Sequence, residues 1–416
     1  MSRTLMCAEP LQSEPQRAGP AARTLEVWID RVRAWAGPER IAILLSGSHA
    51  SGEAVWVEHQ GASVSLSDVD LYVVLPSPGA CRAAEQRFLR DRGGLRAWLL
   101  EHGCAAPLEA AFLGPADLER LPPRPATLEL RANGRVIEGD PAVKERVPAF
   151  TARDIPAEEI TLLVENRGFE ILLAHPAVAG ETPLARLAAR HGLLKAALDL
   201  AGVAALAAGE YPARAAERVA RARAHPLRLV DPRPAAAHGP DAWRDLEPLW
   251  DAALAWRAGG TTPPGAAESL ADWHRAARAW CAYRWRDATP GGDAGDPYRA
   301  AARFARRAPL RRRLRRALQW PARSGVAPSL ASRIAHALDG TPQHRVNAAA
   351  AVLLLAAVEE GPSEAPRAPG PAAARALGRL GVPGAHRARD WASAARAVFR
   401  AWDLWVLDGQ RTAGLA

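Results

Sequence analysis

Cysteine, lysine and long apolar runs are scarce in this sequence of 416 residues. The 4 cysteines are scattered without any Cys-x-x-Cys spacing, which argues against a disulfide framework and against a structural zinc site. Residues 1–20 carry acids and prolines where a secretory peptide needs an apolar core, and no later segment is a charge-free apolar run of bilayer length. We therefore predict a cytoplasmic protein without a membrane span.

Positive charge is plentiful, but almost all of it comes from arginine. The formal net charge is +9, and Lys144 and Lys195 are the only lysines. Residues 297–338 contain no acid and hold 11 arginines, more than the whole net excess. Leucines one helical turn apart in this stretch favour an amphipathic helix with a solvated basic face. The alternative is a face that binds an anionic partner such as RNA, acidic glycan or membrane lipid.

Strand and helix patterns alternate over residues 21–150. Residues 23–36 space their apolar side chains as an amphipathic helix does. Short β-branched and leucine-rich runs predict strands at 41–45, 70–75, 108–113 and 135–139. A helical pattern with a Gly-Gly interruption separates the second and third of these runs. We predict an N-terminal α/β domain with a small mixed sheet, preceded by a disordered lead at 1–20.

The composition and the apolar periodicity of the sequence change after residue 150. Ala/Leu-rich segments with helical period follow one another between Pro/Gly breaks. We predict a helical bundle at 151–230 and a further helical region at 231–416. The 14 tryptophans stand mostly at helical spacing among alanine and leucine, which favours core packing over base stacking. The fold class is therefore predicted as α+β, with an all-α C-terminal part.

Two short motifs carry the chemistry. "SDVDLYVVLP" (67–76) places Asp68 and Asp70 on one face of a strand, with Val69 turned to the other. Two carboxylates that share a small volume repel one another unless a cation lies between them. Mg²⁺ prefers oxygen ligands and commonly binds one or two carboxylates together with substrate phosphates. The pair of aspartates therefore indicates phosphate chemistry.

The second motif is a Gly-Ser turn at the end of the preceding strand, "LLSGSHASGEA" (44–54). Gly47 lets the backbone approach a phosphate closely, and Ser48 offers a hydroxyl and an amide as donors. We predict that the turn binds phosphates and that the aspartates bind their metal. His49 follows this turn directly, so a substrate contact is an alternative to a plain loop position.

The two motifs together resemble the nucleotidyltransferase superfamily, which includes DNA polymerase beta and the bacterial aminoglycoside nucleotidyltransferases. Its signature is a Gly-Ser turn followed by an Asp-x-Asp strand, and a third carboxylate comes from a later strand. "PLEAAFLGPADLERLPP" matches that later strand and gives Glu109 the third position. "GRVIEGDP" (134–141) is similar to the closing strand of bacterial members. The resemblance is strong over the first forty residues from position 40 and weaker up to about 220.

The resemblance implies a transferase that uses two Mg²⁺ ions and a nucleoside triphosphate, ATP in most bacterial members. Asp68, Asp70 and Glu109 would hold the metals, and Glu109 would also take the proton of the attacking hydroxyl. AMP would pass to a small-molecule hydroxyl, such as that of an aminoglycoside or a biosynthetic intermediate, and pyrophosphate would leave. A protein or RNA end as acceptor, or a nucleotide-binding scaffold without turnover, are the alternatives.

The helical part is expected to complete the site. Lys195 lies on an otherwise apolar helix in a chain nearly free of lysine. The resemblance makes it the cation that contacts the β- and γ-phosphates, while snorkelling is the alternative. Asn166 and Arg167 resemble another recurring pair of the superfamily, with a lesser role. Two departures stand out: an inserted hairpin around Gly61, and a glutamate at 109 where aspartate is usual.

Overall fold

A computed structural model shows an α+β protein with a small mixed sheet. The structure describes residues 19–225, 244–259, 270–288, 342–363 and 388–405, with isolated positions between 310 and 377. The predicted lead at 1–20 lies outside these residues up to position 18. The Arg-rich stretch lies outside them except at positions 310, 311 and 314. Within the described ranges, every helix is too short or too polar to cross a bilayer.

The N-terminal part builds the sheet. Its helices and strands, in chain order, are α1 (Pro20–Ala36), β1 (Ala42–Ser46), α2 (Gly47–Ser51), β2 (Trp56–His59), β3 (Ala62–Ser65), β4 (Val69–Val74), α3 (Pro78–Glu101), β5 (Leu108–Leu113), α4 (Pro115–Leu118), α5 (Pro125–Asn133) and β6 (Arg135–Glu138). The predicted strands agree with β1, β4, β5 and β6 to within a residue. The predicted Gly-Gly interruption is wrong, because α3 continues through Gly93 and Gly94. Two exposed helical glycines are tolerated at a modest entropic cost.

Four strands form the sheet in the order β5-β4-β1-β6. β4 pairs antiparallel with β1 and parallel with β5, so the predicted mixed sheet is confirmed. All five residues of β1 are buried because both faces of the sheet are covered. Ile43 and Leu45 pack with α1 and α3 on one face, and Ala42 and Leu44 pack with α5 on the other. A strand buried on both faces needs a continuous apolar run, as β1 has.

The predicted hairpin around Gly61 is confirmed. β2 and β3 pair antiparallel, and the turn residues Gln60 and Gly61 have positive φ angles of 52° and 78°. Two positive φ values are the signature of a type I′ turn, whose twist matches that of the strands. The apolar side chains Val57 and Val64 belong to the core of the helical part. The insertion therefore connects the sheet domain to the helices.

The rest of the described chain is helical. It contains α6 (Ala157–Leu173), α7 (Pro183–Ala207), α8 (Ala215–Ala224), α9 (Glu247–Arg257), α10 (Leu270–Ala288), α11 (Pro342–Glu360) and α12 (Trp391–Trp405). One hydrophobic cluster extends through all of these helices. Ring N–H groups of Trp273 and Trp280 donate to carbonyls of α6, at 2.6 Å and 2.7 Å. These tryptophans fill the core with their polar atoms satisfied, as the spacing predicted.

Close packing at Gly168 gives a testable consequence. A Cβ added there would lie 2.7 Å from Cζ2 of buried Trp280, whereas one at Gly192 would meet Glu170 at an ordinary 3.6 Å. We expect Gly168→Ala to lower the free energy of unfolding by about 1–3 kcal/mol through overpacking. Gly192→Ala, the matched helical control, should raise it by about 0.5–1 kcal/mol. Urea unfolding measures both, and equal effects would contradict the packing described.

Candidate active site

A cavity of about 570 Å³ lies where the sheet domain meets α6 and α7. This volume is within the range of about 300–1,000 Å³ typical of small-molecule sites. Except for His49, the residues that the sequence singled out for the site contribute to its wall, namely Gly47, Ser48, Asp68, Asp70, Glu109, Asn166, Arg167 and Lys195. The structure therefore brings together side chains that are up to about 150 residues apart in the chain.

The sheet places the three carboxylates. Asp70 lies on β4, opposite Glu109 of β5 in the parallel register and opposite Ser46 of β1 in the antiparallel one. Asp68 immediately precedes β4 and lines the same cavity, as the alternation of a strand predicts. Glu109 is exposed, while Asp68 and Asp70 are half-buried. Glu109 thus lies beside Asp70, and its role as a third carboxylate stays a prediction.

Asp70 lies in an unfavourable electrostatic environment. Burial, followed by the negative charges of Glu109 and Asp68, raises the pKa of Asp70 to about 7, although Lys195 acts in the opposite direction. Burial and like charge both disfavour the ionised form. A proton or a bound cation would relieve this repulsion. The cluster is therefore electrostatically strained when Asp70 is ionised.

The Gly-Ser turn is in direct contact with this cluster. Gly47 has a φ of +65°, and a Cβ built on it would lie 2.6 Å from Oδ2 of Asp70. Glycine is required here on both counts, because L side chains rarely adopt positive φ and because the carboxylate occupies the space. The predicted turn is the beginning of the short helix α2.

This contact predicts the effect of Gly47→Ala. We expect a loss of about 100-fold in any activity that depends on Asp70, because the new methyl group must displace its carboxylate. Gly52→Ala is the matched control: its φ is +77°, and an added Cβ meets nothing within 4 Å. Both variants should lose about 1 kcal/mol of stability to backbone strain. Equal activity in the two variants would contradict the close approach at Gly47.

Lys195 projects from α7 to the aspartates. Its Nζ forms an ion pair with Oδ2 of Asp68 and lies 3.8 Å from Oε1 of Glu170. Burial alone would lower the pKa of Lys195, but Asp68 and Glu170 together raise it above its ordinary value. The side chain is 22% exposed. Lys195 therefore lies in the site as a full cation, and its contact with phosphates stays a prediction.

Arg167 anchors the acids behind Lys195. Its guanidinium donates to Oε1 of Glu170 at 2.6 Å and pairs with Asp199 at 2.6 Å. Burial on its own would lower the pKa of Arg167, and the two acids raise it instead. Arg167 thus fixes the position of the Glu170 side chain. Asn166, the preceding residue on α6, also lines the cavity.

Sequence reasoning missed the polar residues on the far wall. Glu129 of α5 accepts from Tyr211 at 2.9 Å and from Arg218 at 3.0 Å. Glu53 accepts from Arg257 at 3.0 Å. These pairs join elements that are distant in sequence. The local sequence pattern therefore could not predict them. Glu170 was also missed, although it lies four and three positions from Asn166 and Arg167 on one face of an apolar helix.

His49 is not a substrate contact. It lies buried against Trp28 and Trp56, with ring centroids 5.8 Å and 5.6 Å away, and Nε2 lies 3.2 Å from Ser65 Oγ. Desolvation lowers the pKa of His49 to about 4, so the ring is neutral near pH 7. The suggested loop position and substrate contact are therefore wrong. The short helix α2 turns this side chain into the core beneath the cavity.

Asp68, Asp70 and Glu109 carry the oxygen ligands that a hard metal ion prefers. Within the part of the chain that the structure describes, no three His, Cys, Asp or Glu side chains already adopt a metal-binding arrangement. The ammonium of Lys195 occupies one oxygen of Asp68 instead. The donor chemistry fits a hard divalent cation, since burial and the nearby carboxylates of Glu109 and Asp68 raise the pKa of Asp70. Asp68 and Asp70 would hold such an ion, with Glu109 beside them.

Comparisons with protein-family models, with curated proteins and with solved structures found no match. The resemblance of the Gly-Ser and Asp-x-Asp motifs to the nucleotidyltransferase superfamily therefore stays a prediction.

Proposed function

We propose that this protein is a Mg²⁺-dependent nucleotidyltransferase that transfers a nucleoside monophosphate, AMP from ATP, to a hydroxyl of a small-molecule acceptor. The observation that carries the proposal is the contact between the positive-φ Gly47 and Asp70, whose pKa is raised by burial and by Glu109 and Asp68. A bare backbone turn beside clustered carboxylates suits a triphosphate that arrives with its metal.

Different residues of the cavity would bind the metal and the phosphates. Asp68 and Asp70 would hold Mg²⁺, with Glu109 beside them, and the metal when bound would neutralise phosphate charge and lower the pKa of the hydroxyl. Gly47 and Ser48 would bind phosphate oxygens through backbone and hydroxyl donors. Lys195, which forms an ion pair with Asp68, would supply a cation to the triphosphate.

The reaction balances as an in-line displacement. The acceptor oxygen forms a bond to the α-phosphorus, and the bond from that phosphorus to the bridging oxygen breaks. Pyrophosphate leaves with the electron pair, and the hydroxyl proton passes to a neighbouring carboxylate. Positioning and charge neutralisation supply most of the acceleration in such a reaction.

Incubation with α-labelled ATP, Mg²⁺ and a small-molecule extract tests this proposal. Label should pass to an acceptor with release of pyrophosphate, and transfer should vanish in Asp68→Ala and Asp70→Ala. A thermal-shift screen against the four nucleoside triphosphates, with and without Mg²⁺, identifies the nucleobase. Label transfer that persists in both aspartate variants would overturn the assignment of the site.

The ion pair between Asp68 and Lys195 favours one other candidate, a nucleotide-binding protein without turnover. In that protein the lysine would permanently replace a metal at Asp68. One result distinguishes the two candidates. The binding protein would take up nucleotide without Mg²⁺ and would transfer no label. Salt-sensitive retention on RNA would instead favour an RNA end as the acceptor.

A further inference from the structure

A second cavity adjoins the first and shares part of its wall. Asp68, Glu170, His191 and Lys195 line both cavities. Most of the remaining wall is small and apolar, and it includes Leu66, Ala105, Leu173, Ala188, Gly192 and Phe399. Glu109, Gly47 and Ser48 line only the first cavity. Asp68 and Lys195 thus lie between the polar first cavity and the largely apolar second cavity.

The two acids of this second cavity already have a cation beside them. Lys195 pairs with Asp68, and Arg167 donates to Glu170 at 2.6 Å. The remaining charged wall residue, Arg96, donates to the carbonyl of Ala105 at 2.6 Å. A polycation would need several acids without a cation beside them, and the described wall offers none. Most of the wall is small and apolar, so it suits an uncharged ligand.

One polar atom in the shared wall lacks a partner. Oε2 of Glu170 is buried without a hydrogen bond, while Oε1 accepts from Arg167, and the side chain is only 4% exposed. A buried carboxylate oxygen without a donor costs about 1–3 kcal/mol. A ligand hydroxyl would satisfy it. Glu170 would then present that hydroxyl next to Asp68, because Lys195 contacts both acids.

The size of the cavity limits the ligand. Its volume is about 130 Å³, and an engineered apolar cavity of about 150 Å³ in another protein binds benzene. The part of a ligand that enters here is therefore comparable to a single ring. Ala188 and Gly192 lie one turn apart on α7 and leave this space because they carry little or no side chain.

We propose that the second cavity binds the acceptor, and that the acceptor is an uncharged alcohol whose ring-sized apolar part fills the cavity while its hydroxyl donates to Oε2 of Glu170. This inference rests on the proposed transferase function. In the reaction the acceptor oxygen bonds to the α-phosphorus, pyrophosphate leaves with the electron pair of the broken bond, and the hydroxyl proton passes to Glu170. Glu170 thereby takes the proton that the resemblance assigned to Glu109.

Binding of cyclohexanol, followed by ligand-observed NMR on the full chain, tests the cavity. We expect a dissociation constant of about 1 mM for this small probe, weakened at least about tenfold by Ala188→Leu and by Ala189→Leu, which fill the cavity. Ala207→Leu, at the exposed end of the same helix, is the matched control and should bind as the wild type does. Undiminished binding in both cavity variants would overturn the inference.

Transfer assays test the substrate class. With α-labelled ATP and Mg²⁺, a set of uncharged monocyclic alcohols should receive label, whereas the polycation kanamycin should not. Label on kanamycin alone would overturn the inference and leave the proposed function intact. If the same samples showed no nucleotide binding in a thermal-shift assay, the proposed function would be wrong. Cyclohexanol binding would still show whether the second cavity accepts an uncharged alcohol.

Glu170→Gln tests the role of the carboxylate. We expect label transfer to the best alcohol to fall about 100-fold, the usual cost of a lost general base. The dissociation constant of cyclohexanol should change by less than about threefold, because the amide oxygen still accepts a hydrogen bond. Unchanged transfer in a folded Glu170→Gln protein would exclude Glu170 as the proton acceptor.

Discussion

Asp70→Asn should abolish nucleotidyl transfer and at the same time stabilise the metal-free protein. The amide keeps the shape of the side chain but removes the negative charge needed to hold a divalent cation, so we expect activity to fall on the order of 10³-fold. Catalytic sites commonly hold charges that destabilise the fold. Radiolabel transfer measures the first effect and urea unfolding the second.

The sign of the stability effect follows from the pKa of Asp70. The folded protein holds the Asp70 proton with a pKa of about 7, and an unfolded aspartate has a pKa of about 3.9. The folded state therefore binds more protons between these values, and stability falls as the pH rises from about 4 to 7. Asp70→Asn removes this loss, so the variant should be more stable by on the order of 2 kcal/mol at pH 8 without divalent ions.

Asp251→Asn is the matched control for this substitution. Asp251 is exposed on α9, where it pairs with Arg223 at 2.6 Å. Its loss should change stability by less than about 1 kcal/mol and should leave transfer unchanged. If Asp70→Asn destabilised the metal-free protein at pH 8, the carboxylate cluster would not be the strained arrangement described here.

Lys195→Met should lower transfer and yet tighten the binding of Mg²⁺. The ammonium of Lys195 neutralises Asp68. Its removal leaves the negative charge of Asp68 uncompensated and available to a metal ion. We expect Mg²⁺ affinity to rise about tenfold, while kcat/KM for ATP falls about 100-fold because the phosphates lose their cation. Without Mg²⁺ the variant should be about 1–3 kcal/mol less stable, since Asp68 and Glu170 lose a partner that is 22% exposed.

The other lysine of the chain provides the control. Lys144 donates to the carbonyl of Ala132 of α5, and it does not line the cavity. Lys144→Met should leave Mg²⁺ affinity and transfer unchanged. Isothermal titration calorimetry with Mg²⁺ compares the two variants. A weaker affinity for Mg²⁺ in Lys195→Met would show that the lysine and the metal do not compete for Asp68.

Much of the sheet domain was predictable because its pattern is local. The apolar run of β1, the alternation around Asp68 and Asp70, and the turn at Gly61 each determine a short element on their own. Glu109 was singled out by the resemblance, and the parallel pairing of β4 with β5 places it beside Asp70. The lysine was predictable from its rarity in an arginine-rich chain.

The rest of the site depends on how helices pack, which local pattern does not encode. Glu129, Tyr211 and Arg218 meet across more than eighty residues of sequence. His49 looked like a loop residue because a Gly-Ser turn precedes it, but the helix that begins at Gly47 carries its ring into the core. The apolar second cavity arises from small residues on α7 whose spacing is also typical of ordinary helix packing.

Calorimetric titration of Mg²⁺ at pH 7, in two buffers with different ionisation enthalpies, tests the carboxylate cluster most directly. Because Asp70 is partly protonated at this pH, binding should be saturable and should release protons, so the observed enthalpy should differ between the buffers. The Asp68→Asn/Asp70→Asn double variant should bind nothing. Saturable binding that survives in the double variant, or no binding by the wild type, would contradict a cation site at these aspartates.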